Sequence, residues 1–123
     1  MSPTPEEKAR AEKMAAAKAR MAELAAKFVT RTRGEIATMR DALARVRCGD
    51  AAAIGEIRHF AHRMAGTGAT LGFDALSDRA YAIEKLADAQ PQGIAPDLSA
   101  LARFEAEIGA LDVELRMLAG RIS

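Results

Sequence analysis

Seven large apolar residues near the end of the chain, Leu101, Phe104, Ile108, Leu111, Leu115, Leu118 and Ile122, follow one another in alternating steps of three and four. That spacing keeps one face of an α-helix apolar along its length and fits no strand, whose faces alternate every second residue. Such a helix is stable only against other helices with stripes to match. The rest of the chain supplies them: Met14, Ala17, Met21, Leu24 and Phe28; then Ile36, Met39, Leu43 and Val46; then Ile57, Phe60, Ala61, Met64 and Leu71; then Leu76, Ala80, Ile83 and Leu86. With four Phe, one Tyr and no Trp in 123 residues, and few runs of β-branched residues, strands have little to be built from. The predicted fold is all-α, an antiparallel four-helix bundle with an additional N-terminal helix.

Punctuation along the chain agrees with this reading. Thr4-Pro5-Glu6-Glu7 has the chemistry of a helix start: a hydroxyl cap, a proline whose missing N–H costs nothing in the first turn, and acids at the positive dipole end. Gly49 and Asp50 end one helix and cap the next, which runs to Gly68 or beyond; Gly72 closes the following connection and Asp74 caps the helix after it. Residues 88–96, with two prolines and a glycine, form the one clear loop. Whether Thr30 to Gly34 separates two helices or bends one stays open at this level. A single domain is expected over 1–123, with 1–30 as the N-terminal helix and 31–123 as the bundle.

Eighteen Lys and Arg against 17 Asp and Glu leave a net charge of +1, too little surplus for a general nucleic-acid binder. The balance is uneven, since residues 1–33 hold eight basic and four acidic groups. A solvated helix face is the expectation for that segment, ahead of a site for an acidic partner or a membrane surface. No apolar stretch is long enough to span a bilayer and the first residues lack a signal-peptide core, so the cytoplasm is expected. The lone Cys48 reads as a small helix-end filler with no resolving thiol.

Phosphate loops, paired-cysteine metal patterns and nucleophile elbows are absent from the sequence, which leaves two histidines, His59 and His62. A metal site from this pair is not expected, because no carboxylate or Cys on the same face completes a coordination shell. At about 100° per residue, Ile57, Phe60, Met64 and Leu71 fall on the side of the helix opposite His62. The ring therefore points away from the core. Its neighbours on the wheel are Arg58, His59, Ala65, Gly66 and Ala69. A glycine inside a helix costs about 0.5–1 kcal/mol relative to Ala, so Gly66, one turn beyond the ring, calls for a compensation. Its angular position favours room for a partner's approach over close packing between helices.

The wording of residues 62–72, His-Arg-Met-Ala-Gly-Thr-Gly-Ala-Thr-Leu-Gly, resembles the signature of histidine-containing phosphotransfer (HPt) domains, and is similar to the phosphoacceptor domain of chemotaxis-type histidine kinases. The similarity continues through Phe73, Leu76, Ile83 and Glu84. It implies that His62 accepts a phosphoryl group from an aspartyl-phosphate receiver domain and passes it to another, with response-regulator receivers and a hybrid histidine kinase as partners. The chain would act as a monomeric phosphocarrier without an ATP site or cofactor of its own, the magnesium belonging to the receiver. Glu84 falls where the kinase-like members carry a carboxylate that orients the ring. One departure stands out: the family's usual Lys three residues after the His is Ala65 here. Either Arg58, the preferred candidate, or Arg63 is expected to stabilise the phosphoryl group instead, or the rate and stability of phosphorylation differ from the family norm. Met14, Met21 and Leu24 are candidates for a docking surface, although bundle core is the more ordinary expectation for them. The alternatives are a substrate domain for a kinase acting in trans, or a helical adaptor in which His62 is silent.

Overall fold

The computed structural model describes residues 2–122. Four α-helices and one short 3-10 turn account for the ordered elements: α1 (Pro5–Arg47), the turn Ala51–Ala53, α2 (Ile54–Thr70), α3 (Asp74–Asp88) and α4 (Leu98–Ile122). No strand occurs among the described residues. Each helix packs on two others, α1 on α2 and α4, and α3 on α2 and α4, so the four close a ring. Ion pairs give the directions. Arg40 meets Asp112 and Arg47 meets Glu105, so seven residues up α1 correspond to seven down α4. Arg58 meets Asp88 and His62 meets Glu84, which gives the same opposed register for α2 and α3.

The core is made by the stripes read from the sequence. Ile36, Met39, Leu43 and Val46 of α1, Ile57, Ala61 and Met64 of α2, Leu76, Ala80, Ile83 and Leu86 of α3, and Phe104, Ile108, Leu111, Leu115 and Leu118 of α4 are all buried. Phe60, Leu71 and Leu101 pack against this cluster while only partly covered, and Ile122 at the end of α4 is exposed. The start of α1 carries a complete capping box, in which Glu7 N donates to Thr4 Oγ1 and Thr4 N donates to Glu7 Oε2.

Three expectations are corrected. The additional N-terminal helix is not separate: α1 is continuous for 43 residues and crosses residue 30 unbroken, because Thr30 to Gly34 contains no proline and an interior glycine costs too little to end a helix. Met14, Met21 and Leu24 are exposed rather than core. Burial on α1 begins at Ala25, since the α2–α3 turn stands at the level of Phe28, whose ring is 5.7 Å from that of Phe73, and α4 ends nearby. Lastly, neither Asp50 nor Asp74 caps a helix with its side chain. Asp50 pairs with Arg45 ahead of the 3-10 turn, and Asp74 is the first residue of α3, whose N-cap is Phe73.

Candidate functional site

His62 stands in the middle of α2 on the side away from the core, and its side chain is 66% exposed. One edge of the ring is nevertheless held. Nδ1 lies 2.8 Å from Oε2 and 3.0 Å from Oε1 of Glu84 on α3. An ionised carboxylate only accepts, so this bond puts the proton on Nδ1 and leaves the lone pair on Nε2. Glu84 itself is buried on a helix that otherwise faces the core with Ala80, Ile83 and Ala87. The opposed register of α2 and α3 brings it beneath the ring. A nearly buried carboxylate thus holds a solvent-facing imidazole from behind.

Beyond the ring the surface is open. A Cβ at Gly66 would meet nothing within 4 Å, so close packing between helices does not account for this glycine. At Gly68 a Cβ would sit 3.5 Å from Leu76 and Ser77 of α3, an ordinary contact, so the two helices are close there without excluding a side-chain carbon. Ser77 also ties the two helices together, donating from Oγ to the Ala65 carbonyl at 2.7 Å. His62, Arg63, Gly66, Thr67 and Thr70 of α2 line a shallow concavity that Arg31 of α1 completes.

Arg58 is not part of that concavity. Its Nε donates to Asp88 Oδ1, and this hydrogen bond, with the charge of Asp88 behind it, raises the guanidinium pKa above its ordinary value. The preferred substitute for the missing lysine therefore lies outside the concavity beside His62 and pairs with a carboxylate at the end of α3. Arg63, its runner-up, does share a surface with His62, and so does Arg31, which sequence reasoning missed. Nothing within α2 signals Arg31, because its proximity depends on how α1 is placed against α2. His59 makes an edge contact with Phe60, and no group of three or more His, Cys, Asp and Glu gathers among the described residues. Cys48 is exposed at the C-cap of α1. Among the described residues no helix is long and apolar enough to cross a membrane.

Comparison with known proteins adds one match. A family model described as the Hpt domain matches residues 23–114, which span the site, α2, α3 and most of α4. No curated protein and no solved structure matches the chain significantly.

Proposed function

The chain belongs to the Hpt domain family, and on that premise we propose that it is the histidine phosphotransfer protein of a two-component phosphorelay, with His62 as the phosphoryl acceptor. The observation that carries this reading is the Nδ1 bond to buried Glu84 beneath an imidazole otherwise open to solvent. In the forward step the Nε2 lone pair attacks the phosphorus of an aspartyl phosphate on a receiver domain. The P–O bond to the aspartate breaks, the carboxylate leaves, and an N–P bond forms. The imidazole gains positive character as it does so, and Glu84, accepting from Nδ1–H, stabilises that charge. The reverse sequence delivers the group to a second receiver. An antiparallel four-helix bundle serves this chemistry by holding the nucleophile in line, while the receiver and its magnesium supply most of the charge stabilisation. The chain brings no nucleotide or metal of its own to the scheme, and acts in the cytoplasm as a monomer.

Docking of the receiver is assigned to the open side of α2 and the adjoining face of α1. Met14, Met21 and Leu24 are exposed there, and Lys13, Lys18, Arg20 and Lys27 flank that stripe on the helix wheel while Glu12 and Glu23 fall on its back. An apolar stripe edged with positive charge suits a partner whose own site is acidic.

The test is transfer from purified, phosphorylated receivers of the same organism. Acid-labile label is expected on His62, and His62→Gln is expected to abolish it with thermal stability unchanged. Label supplied directly by an ATP-dependent histidine kinase with no receiver present would favour the in-trans substrate reading. Undiminished partner binding with no label from either donor would leave a helical adaptor.

A further inference from the structure

We propose that Arg31, reaching across from α1, is the residue that holds the phosphoryl oxygens once they are on Nε2 of His62; the inference rests on the phosphorelay reading above. The transferred group arrives as a compact dianion on an exposed ring, and α2 offers it little. Arg58 does not line the concavity beside the ring, and Gly66, Thr67 and Thr70, which do, contribute no charge. Two cations line the concavity beside the ring, Arg63 from α2 and Arg31 from α1.

Only Arg31 is held in place. Its Nε lies 3.1 Å from Oε1 of Glu35, one turn further along α1, and the Glu35 side chain is 10% exposed. A carboxylate so nearly buried is costly where an apolar residue would serve a core. For the helix the pair is worth less than the reverse order would be, since an acid placed C-terminal to its base at this spacing is the weaker arrangement against the helix dipole. What the pair does do is hold the guanidinium of Arg31. A guanidinium anchored through Nε still presents its two terminal amino groups in one plane, the geometry that matches two oxygens of a phosphoryl group. Glu84 on α3 touches the ring and Arg31 on α1 lines the concavity beside it, so the two helices that neighbour α2 each supply one group. One fixes the nitrogen that keeps its proton, and the other receives the charge at the nitrogen that does not.

The experiment uses the whole chain charged by a phosphorylated receiver, with the receiver then removed. Arg31→Gln is expected to slow forward transfer about tenfold, the size of a lost charge-assisted hydrogen bond. It should also move the phosphorus NMR signal of the phosphohistidine in the isolated protein, which a residue acting only in docking would leave in place. Arg31→Lys should restore part of the rate, Glu35→Gln should lose part of it, and Arg63→Gln should stay close to the parent. Circular dichroism of each variant checks the fold. If Arg31→Gln transfers at the parent rate with an unmoved phosphorus signal, or if Arg63→Gln carries the whole effect, the assignment of Arg31 is overturned while label on His62 keeps the phosphorelay reading intact. A parent protein that takes no label on His62 from any receiver overturns that reading itself.

Discussion

Glu84 is the residue on which the site turns, and its replacement separates charge from geometry. Glu84→Gln keeps an acceptor for Nδ1–H but removes the negative charge, so transfer to His62 should fall about tenfold; initial transfer rates from a phosphorylated receiver measure this. Gly66 separates stability from access. With open space where its Cβ would be, Gly66→Ala should raise stability by about 0.5–1 kcal/mol in urea unfolding, whereas Gly66→Leu should slow receiver transfer sharply with the fold intact. Thr32 is fully buried with its hydroxyl unpartnered, so Thr32→Val should stabilise the protein by about 1 kcal/mol in the same assay. The direction His62 faces was legible because it follows from the wheel of a single helix, and its candidacy because residues 62–72 resemble the HPt signature. Glu84 was legible through the resemblance to kinase-like phosphoacceptor domains, which carry a carboxylate at that place. Arg31 was not, since being near His62 depends on the register of two helices that no spacing within either one records.

At the scale of the element, α1 is two things joined in one helix. From Ala25 onward it is a bundle member with Ile36, Met39, Leu43 and Val46 inside; before that no described helix covers it. Periodicity reads both halves alike, because it reports that a face is apolar and not that anything lies against it. Truncation tells the halves apart. Phe28→Ala should cost about 3–5 kcal/mol of stability in chemical denaturation. Met21→Ala with Leu24→Ala should shift it by no more than about 0.5 kcal/mol per site, since both residues are exposed, and should instead raise the receiver concentration needed for half-maximal transfer. The other helices were more fully legible. The stripes of α2, α3 and α4 lie within the closed ring, where the apolar face and the covered face coincide.

For the molecule as a whole, a net charge of +1 sits close enough to neutrality that one phosphoryl group, adding about −1.5 to −2, inverts its sign. The charged and uncharged forms should therefore separate by isoelectric focusing, which offers a readout of occupancy without radioactivity. The pairs Arg40–Asp112 and Arg47–Glu105 report the register of α1 and α4 but their guanidinium groups reach solvent, and stability rests on the stripes beneath them. The length of α1 also has a hydrodynamic consequence. At 1.5 Å per residue its 43 residues make a rod of about 65 Å, of which roughly 30 Å protrudes as a tail from a far more compact body. Drag on such a tail makes a lone chain tumble and sediment slowly for its weight. On a sizing column it should elute ahead of spherical standards, in the position of a species well above 13.1 kDa, while light scattering on the same peak returns the mass of one chain.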